Sequence, residues 1–226
     1  VAGVDVATEA LFRVPAGDGL AGRREARRQA FLQAAGDLFC EKGYGATNLA
    51  DVVRRSGGSL STLYEFFGNK AGLFKALIAE RVLHITGMFD TDGALERPPE
   101  QALAEFAQKM LELVLDREVI AVQRLVIAES PRFPELAGAF FSAGPAAVAR
   151  RLETYLANQH TRGRLRIEDP TLAAEHFAGL VKGSLHTRTL FGVGQPLPDA
   201  EARAHRISCA VALFLRAYAP DTDGTH

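Results

Sequence analysis

Residues Thr47–Lys70, TNLADVVRRSGGSLSTLYEFFGNK, read as two short helices around a tight turn. A helix over 48–55 carries Leu49, Val52 and Val53 on one side. Ser56-Gly57-Gly58 breaks it. Ser59 then stands at the N-cap of a second helix, where its side-chain oxygen accepts from amides that lack partners within the helix. Four residues apart, Leu63 and Phe67 point inward, which leaves Ser59, Leu60, Ser61, Thr62, Tyr64 and Glu65 with outward directions. Two short helices joined by a Gly-containing turn are a helix-turn-helix, in which the second helix enters the major groove of DNA. The outward set is therefore the expected reading surface.

Upstream, a long helix is expected over 22–42, with Phe31, Ala34, Ala35, Leu38 and Phe39 on one buried face and Gly43 as its stop. Arg23, Arg24, Arg27 and Arg28 crowd its start, where positive charge works against the helix dipole. Phosphate contact accounts for that breach of a local rule; a solvated basic turn is the plainer reading. Thr47 is placed to cap the next helix and, with the helix-end amides, to hold a phosphate. Residues 1–21, with Gly3, Pro15, Gly17, Asp18 and Gly19 and no sustained period, are expected to be a flexible arm.

Downstream, Lys70 opens a fourth helix whose Phe74, Leu77, Ile78 and Val82 keep helical spacing towards Phe89. A break over 90–99 follows, and beyond it helical patterns recur while strand alternation does not. Leu103, Phe106, Ala107 and Met110 mark one helix; Val119, Val122, Leu125 and Val126 mark the next. A kink is expected at Gly144-Pro145. In the penultimate helix Ala173, Phe177, Leu180 and Ser184 line a face. In the last, Ala204, Ile207, Val211, Phe214 and Tyr218 alternate spacings of three and four. Such a seam suits either association with a second copy or an internal core contact.

The composition, 226 residues with 47% hydrophobic content, is enough for a substantial core. No apolar run approaches the roughly 18 residues of a membrane span, and Asp5 and Glu9 interrupt any secretory pattern, so a cytoplasmic location is expected. Cys40 and Cys209 have neither metal-like spacing nor a reason to pair. The net charge of -1 conceals a gradient: residues 21–81 hold ten bases against six acids, whereas the remainder from Val82 holds 15 bases against 18 acids. The basic end is the one with the helix-turn-helix, as a nucleic-acid contact requires.

The run GYGATNLADVVRRSGGSLSTLYEFFGNKAGLF resembles the DNA-binding domain of TetR-family transcriptional regulators. The family wording is a Gly-Tyr after the first helix, a Thr before the second, an Ala-Gly-Val-Ser turn, a Thr-Leu-Tyr-x-x-Phe third helix and a following Lys. Here those places fall to Gly43, Tyr44, Thr47, Ser56 to Ser59, Thr62, Leu63, Tyr64, Phe67 and Lys70. Two departures stand out. Gly58 replaces a Val that packs under the turn, so a looser unit is expected; Glu65 replaces an aromatic and faces phosphate with negative charge unless it accepts from a cytosine amine. RLVIAESPRFPELAGAFF and DPTLAAEHFAGLVKG resemble the AefR-like subgroup.

The resemblance implies an all-α protein: a three-helix helix-turn-helix domain (22–69) joined by a connecting helix to a helical effector-binding and dimerisation domain (70–226). It implies a ligand-responsive regulator, most simply a repressor, that binds a palindromic operator in double-stranded DNA as a homodimer and is released by a small effector. Arg24, Arg27, Thr47, Tyr64 and Lys70 would serve phosphates, and Ser59, Ser61 and Thr62 base edges. Phe89, Phe106, Met110, Phe140 and Phe141, with His176 and Phe177, are the pocket candidates, each with plain core as its competing reading. Their character points to an apolar or aromatic effector. Phe177, Ser184, Ile207, Val211, Phe214 and Tyr218 are the dimer candidates, in a four-helix bundle of the last two helices.

No cofactor or metal is expected, since His176 has no second ligand three or four residues on. Nor is catalysis: Gly57-Gly58-Ser59-Leu60-Ser61 lacks the final Gly and the preceding strand of a nucleophile elbow. A helical interaction module without DNA affinity is the alternative.

Overall fold

The computed structural model describes residues 20–89, 94–193 and 196–220, so the arm expected over 1–21 lies outside the described residues as far as residue 19, as do residues 90–93 of the expected break. Ten α-helices and no strand are found among the described residues. No helix among them is long and apolar enough to cross a membrane.

The first four helices are α1 (Leu20–Lys42), α2 (Leu49–Ser56), α3 (Leu60–Phe67) and α4 (Lys70–Thr86). α1 buries Phe31, Leu32, Ala34, Ala35, Leu38 and Phe39, the face expected from its periodicity, and Gly43 ends it with φ 83°. Thr47 does not cap α2. Asn48 does, its Oδ1 accepting from Asp51 N at 2.8 Å, while the Thr47 hydroxyl turns inward to the carbonyls of Leu38 (3.1 Å) and Gly43 (2.8 Å). Asn outranks Thr as an N-cap, and Thr47 is more useful closing the loop behind it.

The α2–α3 turn is not loosened by the missing valine. Gly58 has φ 92°, and a Cβ there would lie 3.0 Å from the Phe31 ring and 3.3 Å from Arg27 Cδ. The space under the turn is already filled from α1, and the backbone is left-handed, so glycine is required rather than merely tolerated. Ser59 caps α3 as expected, accepting from Thr62 N at 3.1 Å.

The remaining helices are α5 (Pro99–Leu115), α6 (Arg117–Glu129), α7 (Pro134–Ala143), α8 (Pro145–Thr161), α9 (Pro170–Leu190) and α10 (Ala200–Ala217). Proline stands in the first turn of α5, α7, α8 and α9, where its missing N–H costs nothing. The kink expected at Gly144-Pro145 is a full break between α7 and α8.

Two apolar clusters divide the interior. One gathers α1–α4 through Phe31, Leu38, Val52, Leu63 and Phe74, and borrows Val126 from α6 and Leu136 and Ala143 from α7. The other joins α5, α8, α9 and α10 through Phe106, Leu152, Phe177 and Phe214. α4 belongs to both, with Leu73, Phe74, Leu77 and Ile78 in the first and Val82 in the second.

Candidate DNA-reading face and ligand cavity

α3 is held by buried Leu63 and Phe67, so its other side must face outward. Ser59, Ser61, Tyr64 and Glu65 are exposed and Thr62 is half-buried. The hydroxyls of Ser61 and Thr62 each lie 2.8 Å from Ser59 Oγ, which makes a small polar cluster at the start of the helix. Tyr64 is 50% exposed one turn on. Small hydroxyl side chains that donate or accept, beside an aromatic hydroxyl, suit base edges and backbone phosphates.

Arg24 and Arg27 flank this face from α1, though neither is idle. Arg24 donates to Glu65 Oε1 at 2.7 Å with its guanidinium 5.0 Å from the Phe66 ring centroid, and Arg27 donates to the Ser56 carbonyl at 3.1 Å. Glu65, unpartnered in the sequence reading, is therefore neutralised by its neighbour. The Arg24–Glu65 pair is exposed on both sides, so its role is to orient rather than to stabilise.

Thr47 and Lys70 are not brought to the outward face. Thr47 is 1% exposed. The Lys70 ammonium donates to the carbonyls of Tyr44 (2.8 Å), Thr47 (2.9 Å) and Gly45 (3.4 Å) and sits 4.4 Å from the Tyr44 ring centroid. All three donors are spent, and burial pushes its pKa down. The phosphate contacts expected of these two side chains give way to a structural one: they close the α1–α2 loop.

A cavity of about 430 Å³ lies where α4, α5, α6, α7, α8 and α9 meet. Of the pocket candidates, Phe106, Met110, Phe140 and Phe141 line it. Phe89, His176 and Phe177 do not. Phe89 stacks on Tyr155 at 4.7 Å, and Phe177, fully buried, packs edge-on to Phe214 at 5.1 Å; both are core. His176 faces away, its Nδ1 2.7 Å from the Tyr218 hydroxyl.

The polar groups of the cavity escaped the sequence reading. Arg81 of α4 pairs with Glu118 of α6. His186 lies with Nε2 2.7 Å from Gln123 Oε1, and because an amide oxygen only accepts, Nε2 carries the proton. Burial, helped by the nearby Lys182, pulls the His186 pKa below its usual 6.5. Periodicity ranks apolar positions and says nothing of which polar ones face a void, so these residues carried no signal.

The expected dimer seam is largely internal. Phe177, Ile207, Val211 and Phe214 are buried within this chain, and Tyr218 packs on the same cluster and bonds His176. The alternative kept open for α10, a core seam, is the one realised. Ser184 alone of those candidates is exposed. The opposite stripes are open: Leu172, Gly179 and Ser184 on α9, and Cys209, Ala212 and Leu213 on α10.

Residues 31–77 match the family model of bacterial regulatory proteins, tetR family, and residues 101–220 match that of the AefR-like transcriptional repressor, C-terminal domain. The HTH-type transcriptional repressor ComR of Escherichia coli (strain K12) is 29% identical over 161 residues, which cover 69% of this chain and 76% of ComR. The HTH-type transcriptional activator FasR of Mycolicibacterium smegmatis is 34% identical over 71 residues, 30% of this chain and 32% of FasR. Among solved structures, the Flavonoid-responsive Regulator FrrA is 30% identical with a TM-score of 0.69, covering 87% of this chain and 98% of that one. A TetR-family regulator from Mesorhizobium loti MAFF303099, 22% identical with a TM-score of 0.70 over 87% of this chain and 98% of that one, has the same fold.

Proposed function

We propose a function from one premise: the chain belongs to the TetR family of bacterial transcriptional regulators and carries an AefR-like C-terminal domain. It is accordingly a DNA-binding regulator with a helix-turn-helix. Beyond that, we read it as a ligand-responsive repressor that binds a palindromic operator as a homodimer and is released by a small apolar or aromatic effector. The carrying observation is the outward face of α3, with Ser59, Ser61, Thr62 and Tyr64 presented by a helix anchored through Leu63 and Phe67. Base contacts are assigned to Ser59, Ser61 and Thr62, and phosphate contacts to Tyr64 and to the α1 arginines Arg24 and Arg27. The domain division, with residues 22–69 reading DNA and residues 70–226 sensing and dimerising, is part of the same reading.

The apolar cavity supports a ligand response, and its volume lies in the range of small-molecule sites. FrrA, a regulator named for its response to flavonoids, lends weight to an aromatic effector. α4 is the natural lever. Its Ile78, Arg81 and Val82 line the cavity, while Glu80 accepts from Arg28 at 3.1 Å and from Gln29 at 3.1 Å on α1. An occupant that favours one position of α4 over another shifts the spacing of the two reading heads. We assign no catalytic step and no cofactor to the chain.

Selection of genomic fragments with the purified protein, followed by footprinting and gel shift, tests the reading. The expected result is a protected palindrome with half-sites about one helical turn apart or a multiple, and an affinity that falls linearly in log K against log salt. Failure to shift any fragment at low salt would favour the helical interaction module.

A further inference from the structure

We propose that the cavity between α4 and α9 takes an anionic amphiphile, a molecule with an apolar body and a single carboxylate, held by the Lys182 ammonium and the Gln123 amide. Calling that molecule an effector rests on the regulator reading above; its binding does not.

The charges around the cavity decide the ligand class. Five ionisable side chains line it: Arg81, Glu118, Glu175, Lys182 and His186. Arg81 and Glu118 compensate each other across the α4–α6 contact. Glu175 is exposed and stands two turns before Lys182 on α9, roughly 10 Å along the axis, so it is answered by solvent rather than by the lysine. His186 is held in its neutral form by its surroundings. Lys182 remains: half-buried, on the cavity wall, with no ion-pair partner among the described residues. A partly desolvated ammonium facing apolar walls is costly until an anion meets it.

The hydrogen-bonding groups agree. Gln123 spends its Oε1 on His186, which leaves its amide N–H groups to donate into the same part of the cavity. Lys182 and Gln123 thus both offer donors, one of them charged. Around them Phe106, Met110, Val122, Phe140, Val148 and Leu152 supply an apolar wall for the rest of the molecule. An amine meets no uncompensated carboxylate within that wall, and a neutral ligand leaves Lys182 unanswered.

The test uses the full chain, without DNA, in isothermal titration against two matched series. These are decanoate, decan-1-ol and decylamine below their micellar concentrations, and 1-naphthoate, 1-naphthalenemethanol and 1-naphthylmethylamine. In at least one series the carboxylate is expected to bind tenfold or more tighter than the alcohol, with the amine weakest. Lys182→Met should bring acid and alcohol within threefold of each other, and Lys182→Arg should restore the preference; Lys182→Gln replaces the Met variant if that one does not fold. An alcohol or amine that binds as tightly as its acid overturns the proposal. So does a preference that survives Lys182→Met, or the absence of binding in both series. Operator binding, measured separately by gel shift without any probe, distinguishes failure of this proposal from failure of the regulator reading.

Discussion

Gly58 and Lys70 show how far a residue's role departs from what its neighbours in sequence suggest. Gly58 stands where a valine was expected, yet its φ of 92° and the Phe31 ring 3.0 Å from a would-be Cβ make a side chain unwelcome. Gly58→Val should therefore lower stability by about 2 kcal/mol, within the order of 1–3 kcal/mol that left-handed backbone costs an L residue, as read by urea denaturation. A stabilised variant would show that the turn relaxes and that Phe31 gives way. For Lys70 the structural role predicts a dissociation of two readouts. Lys70→Met should cost about 1–3 kcal/mol of stability by stranding loop carbonyls. The slope of log K against log salt for operator binding should stay within half a unit of wild type, whereas a lost phosphate contact changes it by about 0.9.

At the scale of elements, α9 is two helical pieces joined at Gly183, whose φ of 46° and ψ of −140° break the ladder. A Cβ there would lie 3.0 Å from an Arg206 nitrogen, a flexible end able to move, so the backbone rather than the contact sets the cost. Gly183→Ala is expected to destabilise by about 1–3 kcal/mol. Because Lys182 and His186 flank the break and line the cavity, the same variant should also weaken 1-naphthoate binding several-fold. Unchanged binding beside lowered stability would mean that the kink shapes the helix and not the site. The break at Gly144-Pro145 was legible because proline and glycine act locally. The break at Gly183 was not, since a lone glycine within a helical pattern is ordinarily accommodated.

For the whole molecule, the question is which surface meets a second copy. With Phe177, Ile207, Val211 and Phe214 consumed by the core, the open stripes of α9 and α10 are what a dimer has available, and Leu213, 47% exposed, is the largest apolar side chain on the α10 stripe. Leu213→Glu should convert a dimer to monomer in sedimentation velocity and weaken operator binding at least tenfold, while its far-UV spectrum is unchanged. A dimer that persists in this variant places the interface elsewhere. The seam of α10 was visible as periodicity, but periodicity marks a buried face without saying whether the same chain or another buries it.

The all-helical character, the helix-turn-helix and its membership of the TetR family were written in local order: apolar spacing, the Ser59 cap, glycine at the turns and the Thr62-Leu63-Tyr64 word. These depend on residues a few positions apart, and nearest-neighbour physics suffices for them. Tertiary packing decided the rest. It turned Thr47 and Lys70 inward, set Arg24 against Glu65, buried Phe177 and Phe214 within one chain, and brought Arg81, Glu118, Gln123, Lys182 and His186 from three helices to one cavity. Contacts across many residues are chosen by how whole faces fit, and that fit appears only when the helices are assembled.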